Sequence, residues 1–279
     1  MSIDTLVSDI YSLLEGKKIF DPVILERFGP ELGKVLTTRL HSRGEERVPT
    51  LRMSNIGRPL RQLWYELNGY KAEEISGKTS LKFLFGDLIE AVVLVLAEAS
   101  GHTVERLQEE IEVDGIKGHI DAVIDGVLID VKSASPYSFD KFKDASLLEE
   151  GKDPFGYIGQ LAGYSKAIGL PCAWIAINKV SGEICILSLP DQKVTDYDVS
   201  GRINLVRASI GSSVVPERCY EDEPEGKSGN RKLGISCSYC SYKFTCWPEV
   251  KTYLYSTGPK FLTVIKREPK VFSVNESSN

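Results

Sequence analysis

The stretch His119-Ile-Asp-Ala-Val-Ile-Asp-Gly-Val-Leu-Ile-Asp-Val-Lys132 carries the densest chemistry in the chain. Asp125-Gly126 stands between two segments of alternating polarity, a strong signal for a two-residue hairpin loop. With those residues as the loop, Ile124 faces Val127, and counting outward sets Asp121 opposite Asp130. Side chains alternate along a strand, so Asp121, Asp130 and Lys132 share one face. Ala122, Ile124, Val127, Ile129 and Val131 fill the other. Two carboxylates directly across a strand pair repel unless something compensates. A hard divalent ion such as Mg²⁺ does so, taking one or two carboxylates with phosphate oxygens and water. Lys132 can then approach the attacking water or the charge that grows on a phosphate. This pattern fits metal-assisted hydrolysis of a phosphodiester. The plainer alternative is a solvated hairpin face on which Lys132 balances Asp130.

Two further clusters could bind. The chain has six cysteines, of which Cys172 and Cys185 lie in the apolar runs CAWIAI and ICIL and read as small buried hydrophobes. Cys237, Cys240 and Cys246 supply three soft ligands where a tetrahedral metal or a four-iron cluster wants four. Cys219 is the obvious fourth, across a loop that could fold back. The set would suit Zn²⁺ or an iron–sulfur cluster, stapling the C-terminal loop without taking part in hydrolysis; the alternative is thiols that merely pack. Arg58 and Arg61, with Arg52 nearby and the ring of Trp64 or Tyr65, form a basic, aromatic patch suited to a phosphate backbone and unpaired bases. Lys141, Lys143 and Lys166 form another. Solvated helix faces and core aromatics are the plainer reading of both.

The elements that must position these residues follow from periodicity. Helices are expected in DTLVSDIYSLL, from Pro22 to Leu40, in RPLRQLWYELNG, and from Ser80 to Ser100 with Gly101 closing it. LQEEIEV, KGHIDAVI and VLIDVKS read as strands. A polar, Lys-rich stretch from Ser135 to Asp153 leads to a helix at GYIGQLAGYSKAIG. AWIAINKV and EICILSL follow as strands, then a helix to about Ile210, and TYLYSTGPKFLTVIKR reads as a hairpin. Interleaved strands and helices favour a mixed sheet covered by helices. The expected division is a helical region at 1–75, a core at 76–214, a Cys-rich segment at 215–250 and a tail at 251–279.

Bulk properties bound the function. The chain of 279 residues is 42% hydrophobic and 26% charged, with a net charge of -5. That charge does not advertise a nucleic-acid binder, though a protein that gathers carboxylates around metal can be acidic overall. The first twenty residues lack a signal-peptide core and no run of 18 apolar residues occurs, so a cytoplasmic protein without membrane association is expected. No G-x4-G-K-[ST] loop is present, which leaves ATPase or helicase activity unsupported.

With these motifs in hand, G-H-I-D-A…I-D-V-K resembles the core of the PD-(D/E)XK nuclease superfamily, in particular its RecB-like and Cas4-like branch. Gly86-Asp-Leu-Ile-Glu90 resembles that family's first motif and implies Glu90 as a metal ligand; its apolar surroundings, LIEAVVLVLA, fit a carboxylate in need of a partner. Gln160 and Tyr164 in GQLAGY resemble the Q-x-x-x-Y motif. Four apart, they share one helical face, with an implied role in orienting Lys132 and phosphate. The cysteine cluster resembles the C-terminal one of the branch. The resemblance covers about residues 55 to 248. It implies a restriction-endonuclease-like α/β fold with a mixed central sheet flanked by helices and a Cys-rich C-terminal loop region. It also implies a Mg²⁺- or Mn²⁺-dependent deoxyribonuclease, an exonuclease rather than an endonuclease, acting on single-stranded DNA or duplex ends. The setting it implies is recombination or DNA processing in a bacterium or phage-infected host. Glu90, Asp121, Asp130 and the Val131 carbonyl would hold the metal. The chain departs from the pattern at one point: no cysteine precedes Cys172, where the branch has one just before a helix like RPLRQLWYELNG. A rival reading is a non-catalytic nucleic-acid-binding or assembly protein keeping the fold and the cysteines. It would have lost a catalytic residue, and none is missing.

Overall fold

The computed structural model describes residues 1–41, 48–189 and 192–274. The chain divides into two compact units, Met1–Arg58 with Ile75–Leu205 and Pro59–Glu74 with Val206–Asn279. This differs from the four consecutive segments expected, because a short N-terminal helix buries its aromatic face among C-terminal residues.

Helices α1 (Leu6–Leu14), α2 (Val23–His41), α3 (Leu60–Leu67) and α4 (Gly77–Ala99) lead the chain. The Ser76 hydroxyl accepts from the Thr79 amide to start α4, and Gly101 takes the positive φ of 104° that turns the chain after it. Strands β1 (Val104–Glu105), β2 (Glu110–Val113), β3 (Ile116–His119), β4 (Ala122–Ile124) and β5 (Val127–Ala134) follow. Next come α5 (Pro136–Lys143), α6 (Tyr157–Ile168), β6 (Cys172–Asn178), β7 (Ile184–Leu189), α7 (Gln192–Thr195) and α8 (Val199–Ile210).

In the first unit the sheet order is β1-β4-β5-β6-β7. Strands β5 and β6 run parallel and the other neighbours antiparallel. Parallel neighbours need a crossover, and α5 and α6 lie between them in the chain. Ala122, Ile124, Ile129, Val131, Ala173 and Ile175 pack against Leu6 and Ile10 of α1 and Val93, Leu94 and Ala97 of α4. On the opposite face Trp174 meets Phe142 of α5 edge-on, with centroids 5.9 Å apart. The result is a mixed central sheet flanked by helices, a restriction-endonuclease-like arrangement.

Two expectations need correction here. The polar stretch after Ser135 contains α5: the Ser135 hydroxyl caps it through the Ser138 amide, and Pro136 takes its first turn. KGHIDAVI is not one strand. Strand β3 pairs with β2 around Asp114-Gly115, whereas β4 pairs with β5, and the chain changes partners at Ile120-Asp121.

In the second unit, β8 (Glu223–Glu225) and β9 (Asn230–Lys232) are followed by short helices α9 (Ile235–Ser238) and α10 (Lys243–Cys246). The expected hairpin forms as β10 (Lys251–Tyr255) and β11 (Gly258–Val264), with β12 (Ser273–Val274) beside β10. These strands make a second sheet in the order β12-β10-β11-β9-β8, so the region after Val215 is more regular than a Cys-rich loop. Trp64, Tyr65 and Tyr242 form its aromatic core, with Tyr65 stacked on Tyr242 at 5.6 Å.

Candidate active site

The hairpin turn is as its sequence requires: Asp125 and Gly126 take φ of 50° and 83°, and the ladder pairs Ile124 with Val127 and Ala122 with Ile129. It stops there. Asp121 does not pair with Asp130 across the ladder; it lies in the gap where the chain leaves β3 for β4. Its Oδ2 instead accepts from the Val131 amide at 2.7 Å, serving a donor that lies past the end of β4. The carbonyl of Asp121 accepts from the Gln108 amide.

Asp130 is 1% exposed on the central strand β5. Its Oδ1 accepts from Lys132 Nζ at 2.9 Å and from Gln160 Nε2 at 3.3 Å. Lys132 Nζ also lies 2.7 Å from Oδ2, so the ammonium spans both oxygens of the carboxylate, and among the described residues Oδ2 has no other polar partner. Burial works against the charge on Lys132, yet Asp130 and Asp121 outweigh it and hold its pKa above the usual lysine range. Its ammonium stands 4.7 Å over the ring of Tyr157.

The crowding extends to the other two carboxylates. Burial, with Glu90 and Asp130 adding to it, pushes Asp121 well above the ordinary carboxylate range. Burial and the nearby charge of Asp130 raise Glu90 to about 7, against opposition from Lys132. Glu90 comes from α4 and accepts from Gln108 Nε2 at 2.8 Å. Gln160 and Tyr164 project from α6, where Gln160 Nε2 donates to the Tyr164 hydroxyl at 3.1 Å and Lys132 donates to Gln160 Oε1 at 3.4 Å. Tyr164 is buried, which raises its phenol pKa, and the absence of a side chain at Gly118 makes room for it: a Cβ there would stand 2.9 Å from its ring.

Glu90, Asp121, Asp130, Lys132, Gln160 and Tyr164 thus gather around one point of the first unit, linked by hydrogen bonds or by the charges that shift their titration. Among the described residues no three His, Cys, Asp or Glu groups are arranged to hold a metal ion as the side chains lie. The donor set nonetheless suits a hard cation, with three carboxyls close together, two of which have their ionisation suppressed by burial and by neighbouring carboxylates.

Sequence reasoning missed Tyr157, Gln108 and Asp153. Asp153 accepts from the Gly156 and Ile158 amides at 2.9 and 2.8 Å, fixing the entry to α6. An Asp placed shortly before a helix was the available signal. Gln108 sits in a loop at φ 50°, and no periodicity marks it. His119 lies apart, exposed and 3.8 Å from Glu110.

In the second unit Cys219, Cys237, Cys240 and Cys246 line one cavity with Arg218 and Trp247. All four are free thiols. Burial, then the charges of the other three, pushes Cys237 up to about 11. The thiols are neighbours, but no metal-holding set of them exists as they lie. Trp64 and Tyr65 are 5% and 4% exposed, so neither ring offers a face to a base. Arg61 donates to the Pro216 carbonyl at 2.6 Å and to the Tyr65 hydroxyl at 3.0 Å. The core reading therefore holds for these aromatics. Arg58 belongs to the first unit, where its charge acts on the Tyr157 phenol.

No protein-family model and no curated protein matches the chain. Among solved structures, the chain resembles SSO0001 at 18% identity, over 80% of this chain and 96% of that one, with a TM-score of 0.39. It resembles an alkaline exonuclease, LHK-Exo from Laribacter hongkongensis, at 16% identity over 59% and 91% of the two chains, TM-score 0.40. It also resembles a phage-related exonuclease from Haemophilus somnus 129PT at 16% identity over 58% and 93%, TM-score 0.39. At these scores the likeness is remote, and a functional reading has to rest on the site itself. No helix among the described residues is long and apolar enough to cross a membrane.

Proposed function

We propose that this chain is a metal-dependent DNA nuclease, with exonuclease action on single strands or duplex ends. The observation that carries the reading is the gathering of three carboxyl groups at one lysine: Asp130, buried and paired with Lys132, beside Glu90 and Asp121, whose pKa values are raised. Glu90, Asp121 and Asp130 would hold Mg²⁺ or Mn²⁺, with Glu90 turning from Gln108. The Val131 carbonyl would be a further ligand, since a strand residue presents its carbonyl on the side of its amide, here the side of Asp121. The bound cation supplies charge neutralisation at the phosphate and a more acidic water. Lys132, held cationic, positions that water and stabilises the charge that develops on the phosphate. Proton removal by Lys132 would first require neutralisation of Asp130 and Asp121. Gln160 and Tyr164 keep Lys132 and Asp130 aligned. The setting we infer is recombination or DNA processing in bacterial or phage-infected cytoplasm.

The test is cleavage of end-labelled single- and double-stranded DNA with Mg²⁺ or Mn²⁺, comparing the natural chain with Asp130→Ala and Lys132→Ala. Release of labelled mononucleotides marks an exonuclease and internal fragments an endonuclease. Activity that survives both substitutions unchanged would sink the mechanism. DNA binding without cleavage would favour a non-catalytic nucleic-acid-binding protein. At the cysteines we propose Zn²⁺ or an iron–sulfur cluster on four neighbouring soft donors. Metal analysis and a visible spectrum of protein prepared without oxygen distinguish these; fewer than 0.1 equivalents of either, as a rough threshold, would remove the proposal.

A further inference from the structure

A lone exposed phenylalanine needs no explanation on most surfaces. Phe155 differs in how its backbone is held. The next residue, Gly156, adopts φ +78° and packs backbone to backbone on Gly57, so closely that a Cβ would stand 2.2 Å from the Gly57 carbonyl carbon. On the other side, Asp153 pins the Gly156 and Ile158 amides. The loop is therefore over-determined, yet it presents a ring that is 46% exposed. Loops held rigid while displaying an apolar side chain are where ligands are met.

The location narrows the ligand. Phe155 lies 5.5 Å from Tyr157, tilted by 33°, and Tyr157 carries the Lys132 ammonium on its ring. Two ring steps, 4.7 Å from the Lys132 ammonium to Tyr157 and 5.5 Å from Tyr157 to Phe155, thus lead from the reacting centre to a solvent-facing aromatic surface. The backbone of Arg58 lies against Gly156, and its guanidinium is near enough for its charge to act on the Tyr157 phenol, a second cation beside the same rings. An aromatic face beside cationic groups suits a base whose own phosphate lies nearby.

We infer that Phe155 is a stacking platform for an unpaired nucleobase adjacent to the scissile phosphate, which makes a frayed or single-stranded end the preferred substrate. This rests on the nuclease reading for the identity of the phosphate, but stacking can be measured without cleavage. The experiment is fluorescence anisotropy of a short single-stranded oligonucleotide in chelator, with the natural chain, Phe155→Ala and Phe155→Trp. A second oligonucleotide carries an abasic site at its terminal nucleotide. Phe155→Ala should weaken binding of the intact strand by roughly 5- to 100-fold, Phe155→Trp should restore it, and the abasic strand should remove the difference. Equal binding by Phe155→Ala and the natural chain would overturn the inference. If the natural chain cleaves DNA in that case, the nuclease reading stands alone. If it neither binds nor cleaves, both fall. A loss of binding with Phe155→Ala that persists in full on the abasic strand also overturns the stacking role.

Discussion

Asp130 and Lys132 form a charge pair that would be ordinary on a surface, but Asp130 is 1% exposed and Lys132 17%. Isolating such a pair from water is costly, and here two further carboxyls, Glu90 and Asp121, crowd it. Replacing Lys132 with Ala should lower the cleavage rate by about 100- to 1000-fold, the scale seen when one preorganised charge stabiliser is removed, as read from single-turnover rates. Asp130→Asn should remove both cleavage and any thermal stabilisation by Mg²⁺; a Mg²⁺-dependent shift in melting temperature that persists would argue against this ligand. Glu90 makes a pH prediction. Its folded pKa of about 7 lies above the ordinary 4.5, so the folded state binds the extra proton. That contribution to stability is full below about 4.5 and is lost as pH rises through about 7. In chelator, Glu90→Gln should flatten the fall in stability between these limits by on the order of 1–3 kcal/mol. Urea unfolding at several pH values would show it, and an unchanged profile would speak against Glu90 as the titrating group.

At the scale of elements, the site depends on a strand that starts late and a helix that begins abruptly. Strand β4 starts only at Ala122, which frees Asp121 before it to turn its carboxyl onto Val131. Helix α6 begins after Gly156, whose close approach to Gly57 sets where Gln160 and Tyr164 stand. Gly156→Ala adds a strained φ and a steric clash with backbone that cannot move aside. A loss of about 2–4 kcal/mol follows, with cleavage falling as well. Gly151 is the control: its φ is +73° but nothing lies within 4 Å of its Cβ, so Gly151→Ala should cost only about 1 kcal/mol. Thermal melts of the two variants compare the terms directly, and equal losses would show that packing at Gly57 is unimportant. Much of this scale was legible. The turn at Asp125-Gly126, the span of α4 and the β10–β11 hairpin follow from local residue chemistry. The helix α5 was hidden by its polar composition, although Ser135-Pro136 spells a cap and first turn. Strands β8, β9 and β12 are two or three residues long, too short for any period to register.

The whole chain interleaves its two units. Pro59–Glu74 leaves the first unit to join Val206–Asn279, carrying Trp64 and Tyr65 into a cluster with Tyr242, Val215, Cys240 and Cys246. In the same unit Lys243 is buried and pairs with Glu73. A chain cut after Leu205 therefore keeps α3 but loses the residues that cover its aromatic face. Such a fragment should aggregate, as judged by size-exclusion chromatography and light scattering. A monodisperse fragment with undiminished helical signal would show that α3 does not need this cover.

By itself the sequence determined which residues could share chemistry. The alternation around Asp125-Gly126 puts Asp130 and Lys132 on one face of one strand, because strand geometry has a period of two. The spacing of Gln160 and Tyr164 likewise places them on one side of a helix, because neighbours on that surface are four apart. Only the tertiary structure decided that Asp121 leaves the ladder, that Glu90 meets Gln108, and that Trp64 and Tyr65 are core residues. Those outcomes depend on contacts between segments distant in the chain, and on which polar groups remain without partners once the apolar faces have packed. The hairpin is local; the buried Asp130–Lys132 pair with Glu90 and Asp121 beside it, on which the proposed chemistry turns, exists only when the whole first unit has closed around it.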